Sequence, residues 1–130
     1  MKAIVIHAAE DLRIEERPFG APTVGEVAIE MQAGGICGSD LHYYQHGGFG
    51  PVRLREPMVL GHEGSGTVIE VGANEKILKI GDRVCIEPQV VDKKSKEYKL
   101  GLYNYDQKVK FWATPPIHGC LAPEVVFPGD

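Results

Sequence analysis

Two short stretches of this 130-residue chain carry most of its chemically useful side chains. The first runs Ala33-Gly34-Gly35-Ile36-Cys37-Gly38-Ser39-Asp40-Leu41-His42-Tyr43-Tyr44. Within eight residues it presents a thiol, a hydroxyl, a carboxylate, an imidazole and two phenols, with glycines at 34, 35 and 38. The second, Gly61-His62-Glu63-Gly64-Ser65-Gly66, adds an imidazole and a carboxylate. A soft thiolate with an imidazole suits zinc, which binds at about 2.3 Å to sulfur and about 2.0–2.1 Å to nitrogen. Cys37 and His62 lie 25 residues apart, which is not zinc-finger spacing, so the fold has to bring them together. A catalytic zinc keeps one position open for water or substrate, so fewer than four protein ligands are expected. The candidate metal set is Cys37, His62 and Glu63. Glu63 has two places open to it, as a third ligand or behind the metal.

The neighbours supply further roles. A ligating imidazole usually donates its other N–H to a carboxylate or carbonyl, a place that suits Asp40. Ser39 and His42 make a candidate path for a proton from a metal-bound alcohol to solvent. Each residue also has a plainer reading. A lone cysteine is usually a small buried hydrophobe, and a lone histidine after glycine a turn residue. Glu63 alone reads as a surface carboxylate. Ser39 and Asp40 are good N-cap residues for a short helix, and His42 and Tyr43 can simply pack on the fold.

The elements around these residues read mainly as strands. Lys2 to His7 is apolar and β-branched. Leu12 to Arg17 alternates apolar and charged and can pair back on it across a turn at residues 8–11. Val27 to Gln32 alternates again, with Val27, Ile29 and Met31 on one face, and leads into the glycines before Cys37. Ser39 to Tyr44 allows about two helical turns, and His46 to Pro51 reads as a glycine-rich loop. Thr67 to Val71, a turn and strand over Lys79–Ile86, and Leu121 to Phe127 complete the strands. Residues 88 to 118 break into charge and aromatics and read as a surface lobe. No helix of twelve or more residues is expected. Short strands with Gly/Pro turns predict an all-β barrel or sandwich. Nothing matches the strand, glycine turn and long helix of a dinucleotide-binding unit.

Composition sets outer limits. The length suits one domain, and 43% hydrophobic residues suffice for a core. The net charge of −4 and the short basic run Lys93-Lys94-Ser95-Lys96 give no nucleic-acid footprint. No apolar run is long enough to span a membrane, and the first residues are too short for a secretory signal. Three widely spaced cysteines, at 37, 85 and 120, are no disulfide framework and fit a reducing, cytoplasmic setting.

Gly61-His62-Glu63-Gly64-Ser65-Gly66-Thr67, with Gly72, resembles the zinc signature of medium-chain alcohol and polyol dehydrogenases. Gly35-Ile36-Cys37-Gly38-Ser39-Asp40-Leu41-His42-Tyr43 is similar to the catalytic-cysteine segment of their polyol branch. Gly81-Asp82-Arg83-Val84 resembles a common turn and strand of the same proteins. Ile86-Glu87-Pro88 and Ala113-Thr114-Pro115-Pro116 resemble the sorbitol and xylitol enzymes, and His42 to Gly50 the L-idonate 5-dehydrogenases. The resemblance runs nearly end to end.

It implies a GroES-like β-barrel over residues 1–130 with short helices and a lobe at about 88–118, the catalytic domain of a zinc- and NAD(H)-dependent enzyme. By the same resemblance Cys37, His62 and Glu63 hold or adjoin the metal, and Ser39 meets the substrate hydroxyl. Tyr43 lines the polyol pocket, Asp40 buttresses His62, and His42 takes the place of a relay histidine. The implied reaction oxidises a secondary alcohol to a ketone: zinc stabilises the alkoxide, and the carbon releases hydride to nicotinamide.

Three departures from the family pattern carry expectations. The four cysteine positions of a structural zinc correspond to Asp92, Ser95, Tyr98 and Asp106, so one catalytic zinc and no structural zinc is expected. The lobe is then expected to hold by packing of Tyr103, Tyr105, Phe111 and Trp112. Glu75 replaces a small or apolar residue and is expected to loosen the turn after Gly72. Finally, the sequence stops at Asp130, before a nucleotide-binding domain. The chain alone is therefore expected to bind NAD poorly, to turn over little, and to self-associate through the face such a domain would cover. The alternatives are a stand-alone zinc-binding or scaffold module, and a zinc-free quinone-reductase-like barrel. Ser39, Asp40, His42 and Tyr43 beside the ligands argue against the first, and Cys37 with His62 against the second.

Overall fold

The computed structural model describes residues 1–129. In chain order the elements are β1 (Lys2–Ala8), β2 (Asp11–Glu16), β3 (Glu26–Gly34), α1 (Gly38–His46), β4 (Gly48–Phe49), β5 (Val52–Arg53), β6 (Met58–Val59) and β7 (Gly64–Val71). Then follow β8 (Arg83–Cys85), β9 (Gln89–Val90), α2 (Lys96–Lys99), a 3-10 turn at Tyr103–Tyr105, β10 (Lys110–Phe111) and β11 (Glu124–Pro128). The strands form a three-stranded sheet ordered β2-β1-β6 and a four-stranded sheet ordered β11-β3-β7-β8. Two short two-stranded sheets, the hairpin β4–β5 and the pair β9–β10, stand beside them. The fold is mainly β, as expected, and among the described residues the longest helix is the nine-residue α1.

The chain just before β11 joins the two sheets. Leu121 O accepts from Ile4 N and Pro123 O from Met31 N, at 2.9 and 2.8 Å. Leu121 N donates to Leu60 O at 2.9 Å. One segment thus satisfies backbone groups on β1, on β3 and after β6, and closes the sheets into a barrel. Its main core gathers Val27, Ile29, Val68, Cys120, Val125 and Phe127 with Trp112. Val27 and Ile29 come from the predicted inward face of β3, and Met31 packs partly against the same cluster. A second cluster joins Ile6, Tyr43, Met58, Leu60 and Ala113.

Three expectations need correction, and one strand is additional. The glycine-rich run after His46 is a hairpin, with Gly48 opposite Arg53 and Phe49 opposite Val52. Phe49 and Val52 pack against the second core cluster, and that burial favours the pairing over an open loop. Met58–Val59 is a further strand, paired with Ile6 and Val5. Glu75 tightens its turn: Oε1 accepts from Ile77 N at 2.6 Å and Leu78 N at 3.0 Å. The lobe is not held by all four aromatics. Tyr105 is 72% exposed and Tyr103 is also exposed, whereas Trp112 is buried in the main core.

Three of the four positions matched to a structural zinc, Asp92, Ser95 and Asp106, supply local caps, and the fourth, Tyr98, offers the amide that Ser95 caps. Asp92 Oδ1 accepts from Lys94 N at 2.8 Å, and its carbonyl accepts from Ser95 N at 2.9 Å. Ser95 Oγ caps α2 through Tyr98 N at 3.1 Å. Asp106, buried, accepts from Lys108 N at 2.8 Å. Short side-chain oxygens satisfy backbone N–H groups that the small helix and turns leave unpaired.

Candidate metal centre

The two chemical stretches meet because β3 and β7 are antiparallel neighbours. Gly34, the last residue of β3, lies opposite Gly64, the first of β7. Cys37 follows the end of one strand, and His62 and Glu63 precede the start of the other. The Gly35 N–H donates to the Glu63 carbonyl at 2.8 Å and extends this pairing toward the site. Gly61 turns the chain from β6 into His62 with a φ of 91°, which a residue with a Cβ rarely adopts.

Asp40 ties the two stretches together. It is 4% exposed, and Oδ2 accepts from Cys37 N at 2.9 Å. Oδ1 accepts from Gly61 N at 3.2 Å. The helix begins with Cys37 at the N-cap, so Asp40 stands at the third helical position and reaches back to the capping amide. The carboxylate also lies in the first turn, where the helix dipole favours negative charge. The sequence reading placed Asp40 behind the His62 ring; its two oxygens instead accept from the Cys37 and Gly61 amides, the latter just before His62.

Cys37, His62 and Glu63 each place one donor atom within 4.8 Å of the other two. Cys37 and His62 are half-buried and Glu63 is exposed. A tetrahedral ion at about 2.0–2.3 Å from each donor holds them roughly 3.3–3.6 Å apart, so the three side chains reach one ion by drawing together by up to about 1 Å. Thiolate, imidazole and carboxylate together are a donor set suited to zinc. The residues present therefore fit the metal. Phe111 lies against the His62 ring, with centroids 5.4 Å apart. The sequence reading assigned Phe111 to packing of the lobe, and its contact with His62 is visible only in the fold.

The other candidates separate by depth. Ser39 is half-buried, two residues beyond Cys37. His42 is exposed, with His46 stacked on it at 6.0 Å between ring centroids. Tyr43, expected along a substrate pocket, is 1% exposed and sits in the second core cluster, edge-on to Phe49. It is the packing residue of α1, and burial pushes its phenol above the ordinary value. Its position follows from α1 resting on β1, where the side chain covers Ile6 and Met58.

Comparison with known proteins agrees with this fold. Residues 23–130 match the family model described as the alcohol dehydrogenase GroES-like domain. A putative D-xylulose reductase of Rhizobium meliloti (strain 1021) is 51% identical over 130 residues, covering 98% of this chain and 37% of the relative. A sorbitol dehydrogenase of Gallus gallus is 52% identical over 119 residues, covering 92% of this chain and 34% of the relative. The crystal structure of L-idonate 5-dehydrogenase from Escherichia coli superposes with a TM-score of 0.90 at 28% identity, over 98% of this chain and 37% of that one. The chain thus spans little more than a third of the proteins it matches. A barrel of this topology, matched along most of its length and carrying cysteine, histidine and glutamate at one place, belongs to the alcohol dehydrogenase GroES-like domain family.

Proposed function

We propose that this chain is the zinc- and substrate-binding domain of a polyol dehydrogenase that interconverts a secondary alcohol and a ketone with NAD(H). The observation that carries the reading is the convergence of Cys37, His62 and Glu63 within 4.8 Å. The names of the relatives, a D-xylulose reductase and a sorbitol dehydrogenase, support a polyol as substrate. Cys37 and His62 hold the metal, and Glu63 is its third protein donor. A zinc ion there supplies Lewis acidity, which lowers the pKa of a coordinated hydroxyl.

The chain's own residues then do the positioning. Asp40 fixes the backbone of both ligand-bearing segments. Ser39, beside Cys37, accepts the proton of the substrate hydroxyl and passes it on. His42, exposed on the same helix, is the route from there to solvent. Ile36, just before Cys37, and Leu41 and Tyr44 on α1 are exposed large apolar side chains. They offer apolar surface for another domain to cover.

The test is metal content of the purified chain by elemental analysis, beside the Cys37→Ser variant. About one zinc per chain, lost in the variant, is expected. Residues 1–130 joined to the nucleotide-binding domain of a relative are then expected to oxidise a polyol with NAD. Zinc retained without Cys37 would remove that residue from the site. No zinc in either protein would favour a scaffold without turnover.

A further inference from the structure

Gly35 stands two residues before Cys37, and its surroundings are unlike those of the other glycines flanking the thiol. A Cβ built at position 35 would overlap Glu63 Oε2 and come within 3.1 Å of Glu63 Cβ and 3.2 Å of Cδ. All three nearest atoms belong to the Glu63 side chain. The backbone sets no obstacle, since φ at Gly35 is not among the positive values. At Gly38, on the other side of Cys37, a Cβ would meet nothing within 4 Å. At Gly34 it would meet Leu121 Cδ2 at a tight 3.3 Å and the Glu63 carbonyl at 3.6 Å, but no atom of the Glu63 side chain.

Glu63 itself is exposed, and among the described residues no hydrogen bond or ion pair reaches its carboxylate. Shape alone therefore keeps that carboxylate beside Cys37 and His62. The bare face of Gly35 provides the space it occupies.

We propose that Gly35 is a positioning residue that admits the Glu63 carboxylate to the metal centre. The inference rests on the metal reading above and specifies what lets its third donor be a carboxylate. A methyl group at position 35 evicts the Glu63 carboxylate, which is exposed and free to swing into solvent, while Glu63 Cβ at 3.1 Å has to give by only a few tenths of an ångström. The loss falls on the metal, which is left with thiolate and imidazole. This separates positioning from a structural role, because a structural glycine would lower stability first.

The experiment titrates the chain with Co(II), read by the thiolate-to-cobalt charge-transfer band. Zinc affinity is measured by chelator competition, and thermal unfolding of the metal-free proteins is recorded alongside. The proteins are wild type, Gly35→Ala, Gly38→Ala, Glu63→Ala and the double variant Gly35→Ala/Glu63→Ala. Gly35→Ala is expected to weaken metal binding about 10- to 100-fold, the usual effect of disturbing a ligand's support. Its metal-free melting temperature is expected to stay near wild type, and Gly38→Ala to bind like wild type. The double variant is expected to bind no more weakly than Glu63→Ala. Unchanged binding in Gly35→Ala overturns the proposal and leaves the metal reading standing. So does a further loss in the double variant relative to Glu63→Ala. If Gly35→Ala fails to fold, recovery in the double variant supports the clash with Glu63, and failure of both overturns it. A wild-type chain with no cobalt–thiolate band overturns the metal reading and this proposal together.

Discussion

Asp40 accepts the backbone N–H of Gly61 at 3.2 Å while its other oxygen holds the N–H of Cys37 at 2.9 Å. One buried carboxylate thereby spans 24 residues of sequence, from Cys37 to Gly61, and fixes the backbone on both sides of the metal site. Replacing Asp40 with alanine leaves two sheltered amides without a partner. We expect a loss of about 2–4 kcal/mol in stability, measured by urea unfolding of the metal-free chain. Asp40→Asn keeps an acceptor for one amide and should lose roughly half as much. Zinc affinity should fall in both. Wild-type stability in Asp40→Ala would exclude this role.

The three cysteines should react in order of exposure. Cys85 is exposed, Cys37 half-buried and Cys120 buried. Burial pushes the Cys120 thiol up to about 11, so little of it is the reactive thiolate at neutral pH. With iodoacetamide, mass spectrometry should show Cys85 modified first, Cys37 next and Cys120 last. Added zinc should protect Cys37 alone. Protection of Cys85 instead would place the metal elsewhere.

His118 should make stability depend on pH. Its Nδ1 accepts from Val59 N at 3.2 Å, which requires that nitrogen to be unprotonated in the fold. Burial first, and then the Arg17 charge, hold its pKa below the ordinary 6.5, against the opposing charge of Glu56. The folded value thus lies below the unfolded one. The contribution is fully present above the unfolded value and is lost as pH falls through the folded one. Stability curves between about pH 5 and 7 should therefore be flatter for His118→Asn than for wild type. Equal slopes would falsify this assignment.

Trp112 is the only tryptophan of the chain, and it meets Phe127 edge-on with ring centroids 4.6 Å apart. It anchors the lobe to β11 in the main core. Trp112→Ala should cost about 3–5 kcal/mol and Trp112→Phe distinctly less. In the wild type, tryptophan fluorescence should report the same unfolding midpoint as circular dichroism. A separate, earlier fluorescence change would mean that the lobe opens by itself.

The elements that were legible in the sequence are those governed by local pattern. Alternation along Val27–Gln32 placed Val27 and Ile29 in the core, because a strand's side chains point to opposite faces and one face seeks burial. The run Thr67–Val71 and the short helix after Cys37 were visible for similar reasons. The hairpin at Gly48–Arg53 and the strand Met58–Val59 were not, since two-residue strands have no period and exist only through their partners. Glu75 was misjudged because its carboxylate caps amides of its own turn, where composition alone suggested loosening.

The chemistry divides along the same line. Residue types alone determined that thiolate, imidazole and carboxylate were available and that zinc suits them, because ligand softness is a property of the side chain. Which of them meet was decided by the antiparallel register that sets Gly34 opposite Gly64. Tertiary structure alone also turned Tyr43 into the core, brought Phe111 against His62 and gave Glu63 the space left by Gly35. Those outcomes depend on contacts between residues distant in sequence, and local pattern carries no record of them.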